Sequence, residues 1–203
     1  MQVYKFGGAS IASPERMQAL MPIIKDATQP LILVVSAIGK TTNALEAIVA
    51  NACKGKKQEA HDLVQKLEAE HTAYAKELLD AKHFESVVKE LNVFYTELQW
   101  AIDDASDTKY DYSYDQIVCM GELLSTRIFA AYLQQQGYHY HWVDARDVIR
   151  TDDTYRDARV DWEYSKNKAQ EIIAPLLTPT SSVITQGFIG ATQDNASVTL
   201  GRE

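Results

Sequence analysis

The sequence predicts an α/β fold built on a mostly parallel sheet, and three features lead there. "VYKF" (residues 3–6) is a short apolar-rich run that stops at Gly7-Gly8. "LILVVS" (residues 31–36) is a continuous apolar run of strand length, the pattern of a strand buried on both faces. Helical patterns follow each run, and strand–helix–strand–helix spacing is that of a right-handed βαβ unit.

Taken in order, the first helix has Ser13 as N-cap and Pro14 at its first position, where a missing N–H is harmless. "NALEAIVANAC" reads as the helix after the second strand, with Thr41, Thr42 or Asn43 as its cap. From about 55 to 107 the character changes. Leu63, Leu67, Tyr74 and Leu78, then Phe84, Val87, Leu91, Phe94, Leu98 and Ile102, recur at helical spacing among charged residues. Two long amphipathic helices in a hairpin are expected, as a structural cover or oligomer contact. "SDTKYDYSYD" (106–115) reads as a polar, aromatic-rich surface loop leading into a helix over 119–133, which Gly137 closes. "YHYHWVD" is the next strand, "TDDTYRDAR" a loop and "WEYSKNKAQEIIAPLL" a helix. "SVITQGFIG" reads as one buried strand ending at glycines. "ASVTLGRE" begins a strand and turn with nothing after it, so the chain is expected to be part of a longer protein.

Composition narrows the functional classes. Hydrophobic content of 46% and charged content of 24% over 203 residues suit a globular domain. A formal net charge of -8 argues against nucleic acid, whose phosphates call for a basic face. No apolar run reaches the roughly eighteen residues that a membrane span needs, and "MQVYKFGGAS" lacks the layout of a signal peptide. Cys53 and Cys119 have no metal-ligand spacing and read as reduced packing residues of a cytoplasmic protein.

"LILVVSAIGKTTN" ends like a nucleotide-binding P-loop. That motif needs a glycine five residues before its Gly-Lys pair, and Val34 stands there, inside a strand. A different grouping carries more chemistry. "KFGGAS", "SAIGKTTN", "MGELLS", "TQGFIG" and "TLGRE" fall largely at strand ends or in the loops after them, where open α/β sheets place ligands. Lys5 is a fixed cation at the end of the first strand, and Gly7-Gly8 lets backbone N–H groups approach an anion. A fixed cation and amide donors of this kind would offset the charge of an anionic ligand.

Together these five stretches resemble the aspartokinases of the amino-acid kinase family, over the whole chain and in the family's motif order. "WVDARDVIRTDD" before "ITQGFIG" is similar to the monofunctional aspartokinases. The resemblance implies a three-layer αβα sandwich, incomplete here, with the helical hairpin as an insertion. It implies that residues 1–203 form the N-terminal acceptor-binding lobe, with the nucleotide-binding lobe and ACT regulatory domains outside them. Lys5 then serves as the catalytic cation, and Lys5, Gly7, Gly8 and Ser10 bind ATP phosphates. Ser36 and Thr42 offer hydroxyls to L-aspartate, Glu122 pairs with its ammonium, Arg202 clamps a carboxylate and Phe188 lines the pocket. No residue is assigned to a metal; Mg2+ accompanies ATP. The implied activity is the first step of lysine, threonine and methionine synthesis, in a homo-oligomer. Ala9 stands where the family usually has threonine, and the family's glycine-serine-aspartate segment after the arginine does not occur, so these 203 residues alone are expected to be inactive.

Two rivals accompany this reading: an amino-acid kinase with another carboxylate acceptor, and a non-catalytic amino-acid-binding module. Elsewhere, His139 and His141 share one strand face with no third ligand near in sequence. His61, His71 and His83 share no helical face, and Asp152-Asp153 reads as a solvated loop.

Overall fold

A computed structural model describes residues 1–201. Its central sheet has four parallel strands in the order β1-β2-β4-β3: β1 (Gln2–Phe6), β2 (Leu31–Val35), β3 (Tyr140–Trp142) and β4 (Ser182–Thr185). The register sets Lys5 beside Val34, and Val34 beside Thr185. Three strands therefore end together at one edge of the sheet.

Between β1 and β2 the chain forms a 3-10 turn (Gly8–Ile11) and two short helices, α1 (Pro14–Gln18) and α2 (Met21–Lys25), rather than a single helix. Ser13 caps α1 as expected, its Oγ accepting the Arg16 N–H at 3.4 Å. Pro22 lies in the first turn of α2, where its lack of an N–H is tolerated. After β2 come α3 (Thr41–Cys53), α4 (Lys57–Leu78) and α5 (Ala81–Asp104). Lys40 occupies the cap position of α3, and no side-chain cap forms, so none of Thr41, Thr42 and Asn43 has the capping role expected.

The hairpin of α4 and α5 is present and is built into the core. Leu67 and Leu78 on α4, and Val87, Leu91, Leu98 and Ile102 on α5, are buried in one cluster with Leu31, Leu33 and Val35 of β2. Lys57 closes it by donating from Nζ to the carbonyls of Ile102 and, at 2.6 Å, Ala105. A cation at the carbonyl end of α5 also complements its dipole.

Two expectations need correction. Residues 110–115, read as part of a surface loop, fall within α6 (Tyr110–Val118), which leads into α7 (Met120–Gln135). The aspartates and tyrosines that suggest a loop are amphipathic on a helix. Ser113, Tyr114, Asp115, Ile117 and Val118 are buried, and the polar groups among them find partners inside the fold. "SVITQGFIG" is not one strand. β4 stops at Thr185, and β5 (Ile189–Ala191) pairs antiparallel with β6 (Ser197–Thr199) in a separate two-stranded sheet. The break is where the Glu122 carboxylate takes the N–H groups of Gly187 and Phe188.

A helix begins at α8 (Trp162–Lys168) and continues through a π turn and a 3-10 turn to Leu176. Ile172, Ile173 and Leu176 pack on Val143, Val148 and Val183, opposite the larger helical layer. Helices thus cover both faces of the sheet. Ile32, under the thinner layer, and Val34, which the Gly187 segment crosses, are only half-buried, so β2 alternates in burial although its sequence reads as uniformly apolar.

Candidate functional site

A cavity of about 510 Å³ opens at the shared edge of β1, β2 and β4, the end of the sheet where such folds bind ligands. Lys5 enters from β1. Ser36 comes from the β2–α3 connection, Thr42 from the first turn of α3, Glu122 from the first turn of α7, and Phe188 from the segment after β4. Gly8 completes the group at the turn after β1. Gly7 and Ser10 do not line the cavity; they sit in the adjoining turn, where the Ser10 N–H donates to the Gly7 carbonyl at 2.9 Å. Arg202 lies outside the described residues.

The two loops that meet here are in close contact. The Gly39 N–H donates to the Gly8 carbonyl at 3.1 Å. A Cβ on Gly8 would stand 2.5 Å from the Ala37 oxygen, so only glycine lets the backbones come this close. After β4 the chain crosses Val34, and a Cβ on Gly187 would meet Val34 Cγ1 at 2.5 Å.

Glu122 is only 5% exposed. Its Oε2 accepts the N–H of Gly187 at 2.8 Å and of Phe188 at 2.9 Å. The sequence suggests that so buried a carboxylate needs a cation; here two amides satisfy this oxygen. Burial nevertheless dominates and pushes the carboxyl up to about 7, opposed by the Phe188 and Gly187 amides and then by the charge of Lys5. A cationic ligand in the cavity would favour the ionised form.

Sequence reasoning missed several wall residues. Gly39 has a positive φ of 53°, and a glycine in "AIGKTT" is a legible signal for that conformation. Val118, Leu200 and Gly201 also line the cavity; their apolar or small side chains gave no such sign. The helical hairpin, expected as a structural cover or oligomer contact, touches the segments on both sides of the cavity. Tyr74 donates to the carbonyls of Ile11 and Ser13, 3.0 Å each. His71, buried on α4, has Nδ1 2.9 Å from the Leu67 carbonyl and Nε2 3.4 Å from Thr41 Oγ1.

His139 and His141 are exposed at the sheet edge. Among the described residues, no group of three or more His, Cys, Asp or Glu side chains is placed to hold a metal ion. Cys53 and Cys119 are buried free thiols, and burial raises Cys119 to about 12. No helix among the described residues is long and apolar enough to cross a membrane.

A parallel sheet whose strand ends enclose one ammonium, one desolvated carboxylate and a hydroxyl-bearing loop defines an α/β domain that binds a small charged molecule. The family model "Amino acid kinase family" matches residues 1–202, and the chain belongs to that family. It is 28% identical over 201 residues to lysine-sensitive aspartokinase 3 of Escherichia coli, covering 98% of this chain and 43% of that protein. It is 30% identical over 205 residues to the aspartokinase of Chlamydia pneumoniae, covering 98% and 41%. Among solved structures it resembles E. coli aspartokinase III in complex with lysine and aspartate, with a TM-score of 0.88 and 27% identity, covering all of this chain and 44% of that one. The same enzyme in complex with aspartate and ADP gives a TM-score of 0.77 at 28% identity. The chain spans less than half the length of these relatives.

Proposed function

We propose that this chain is the acceptor-binding part of an aspartate kinase. The observation that carries the reading is the meeting of Lys5, Thr42 and Glu122 around one cavity at the strand ends, in a chain whose relatives are aspartokinases. In the reaction, an oxygen of the aspartate side-chain carboxylate attacks the γ-phosphorus of ATP. The bond from that phosphorus to the β,γ-bridging oxygen breaks, giving 4-phospho-L-aspartate and ADP.

Each residue has a part suited to its chemistry. Glu122 receives the α-ammonium of aspartate, which supplies the cation that its burial leaves wanting. Thr42 and Ser36 offer hydroxyls that both donate and accept, and Phe188 closes the wall. Arg202, next in sequence after the Gly201 wall residue, has the guanidinium geometry for a bidentate carboxylate clamp. Lys5 offsets charge as the phosphoryl group approaches the acceptor. The glycine turn at Gly7-Gly8, packed tightly at Gly8 and open at Gly7, has no side chain of its own and, with Ser10 beside it, offers backbone to nucleotide phosphates. That fits a nucleotide tail, with Mg2+ arriving on its oxygens and neutralising them. We assign binding of the nucleotide base and ribose, and a further catalytic aspartate, to the part of the relatives that this chain does not span. The product would enter lysine, threonine and methionine synthesis, in a cytoplasmic homo-oligomer.

The test is a hydroxamate assay on the full open reading frame carrying this chain, with MgATP and L-aspartate. L-Glutamate, an acetylated glutamate and the 203-residue chain are the comparisons. Hydroxamate from aspartate only, absent in Lys5→Ala and in the 203-residue chain, is the expected result. Hydroxamate from another acceptor would make this a kinase of that acid. None from any acceptor, with aspartate still bound, would leave a binding module.

A further inference from the structure

The β5–β6 hairpin borders the cavity with both of its ends, and two buried carboxylates hold those ends. Glu122 takes the entering segment at Gly187 and Phe188. Asp115 of α6 takes the leaving end: the Thr199 hydroxyl donates to its Oδ1 at 2.6 Å, and both residues are fully buried. The other oxygen of Asp115 accepts the Arg156 N–H at 2.9 Å. Arg156 is held in the left-handed region at φ 68°, which is uncommon outside glycine.

Neighbouring bonds hold the rest of the hairpin, Gln116 at the start of β6 and Ala158 and Phe188 at its end. The Gln116 side chain donates to the Ser197 carbonyl at 2.7 Å and accepts its N–H at 3.1 Å. The Ala158 N–H donates to the Thr199 carbonyl at 3.2 Å, and the Leu200 N–H to the Phe188 carbonyl at 2.9 Å. Gly201 lies against the same turn, where a Cβ would come 2.8 Å from Asp157 Oδ1. Leu200 and Gly201 then form part of the cavity wall. A buried polar set of this kind is often no more stabilising than apolar residues of the same volume. Its contribution here is a single position for the strand end.

We infer that Asp115 is a positioning residue of the acceptor site, acting through the Thr199 hydroxyl and the Arg156 amide to fix the Leu200–Gly201 wall. The inference rests on the aspartate kinase reading. Among the described residues no hydrogen bond joins Asp115 or Thr199 to β1 or the turn after it. Loss of the pair therefore acts on the acceptor and spares the nucleotide phosphates.

The decisive variants are Thr199→Val, which removes the hydroxyl at nearly constant shape, and Thr199→Ser, which keeps it. In the full open reading frame, Thr199→Val raises KM for L-aspartate on the order of tenfold, the loss expected for a hydrogen bond to a charged group. KM for MgATP stays within about twofold, and Thr199→Ser restores KM for aspartate. Asp115→Ala gives the same pattern. Asp115→Asn recovers much of it, since its carbonyl can accept from Arg156 while its amide donates to Thr199 Oγ1. The double variant Asp115→Ala/Thr199→Val is no worse than either alone, as for two partners of one bond. An unchanged KM for aspartate in folded Thr199→Val overturns the inference. So does a parallel loss for both substrates, with a lowered Tm, that serine does not rescue. Should Asp115→Ala fail to fold, the Thr199 pair decides. An active wild type with silent Thr199→Val sinks this inference alone; a wild type inactive with aspartate sinks the functional reading and this inference with it.

Discussion

The Tyr74 hydroxyl on α4 donates to the Ser13 carbonyl at 3.0 Å, tying the helical hairpin to the segment that follows the glycine turn. It also lies 3.0 Å from the Ile11 carbonyl. Burial keeps the phenol protonated far above neutral pH, so the donor is permanent. Tyr74→Phe leaves those carbonyls without their donor and should destabilise the fold by about 1–2 kcal/mol. Urea denaturation of the two proteins measures it; equal midpoints would show that the bond contributes nothing.

Glu122 makes stability depend on pH with a definite sign. Its carboxyl titrates near 7 when folded, above the ordinary value of 4.5. Between those values the folded state holds a proton that the unfolded chain has lost, so this contribution is present at low pH and fades as pH rises through 7. Glu122→Gln cannot ionise and keeps an oxygen for the two amides. The stability of Glu122→Gln minus that of wild type should therefore rise between pH 4.5 and 8, by on the order of 3 kcal/mol. A difference that is flat with pH would place the Glu122 titration elsewhere. On the proposed aspartate kinase reading, the same variant should also lose aspartate binding.

At Gly8 the constraint is steric. Gly8→Ala puts a methyl 2.5 Å from the Ala37 carbonyl oxygen, which is backbone and must move as a unit. A cost of roughly 1–3 kcal/mol is expected, together with a displaced β2–α3 loop and, on the proposed aspartate kinase reading, a raised KM for aspartate in the full protein. Thermal unfolding and kinetics on one preparation check both effects, and an unperturbed variant would show that the loops do not press as described.

Leu98 tests whether the hairpin is an appendage. It is fully buried on α5, in the same cluster as the strands. Leu98→Ala should therefore cost about 2–5 kcal/mol and lower the single unfolding transition as a whole. A loss confined to an early, separate transition would make the hairpin an independent unit.

Much of this was legible in the sequence. Short apolar-rich runs marked β1, β2 and β4, and Gly7-Gly8 marked the end of β1, although burial in the fold is uneven: β1 is mostly exposed and β2 alternates. Helical periodicity located α4 and α5. Lys5, Gly8, Ser36, Thr42, Glu122 and Phe188 come together as the motif order suggests. What failed did so for tertiary reasons. Asp115 reads as a surface residue because a lone aspartate is costly to bury, and its partners, Thr199 and Arg156, are far away in sequence. The break after Thr185 is made by a side chain from α7, which no pattern within "SVITQGFIG" can reveal. Tyr74 and His71 look like ordinary members of an amphipathic face; only the packed fold shows what their polar atoms meet.

The β5–β6 hairpin is held at its far end too, where the Thr151 N–H donates to the Ala191 carbonyl at 2.9 Å and the Arg150 guanidinium to the Thr192 carbonyl, so that only the turn beyond Thr192 reaches out from the fold. Residues 193–195 are exposed there, and Asn195 already adopts a left-handed turn at φ 62°. The tip can thus absorb inserted residues while the gripped ends stay in place. A short epitope or fluorophore attachment sequence between Asp194 and Asn195 would ride on the domain without entering its pocket, giving a handle for labelling that leaves ligand recognition intact.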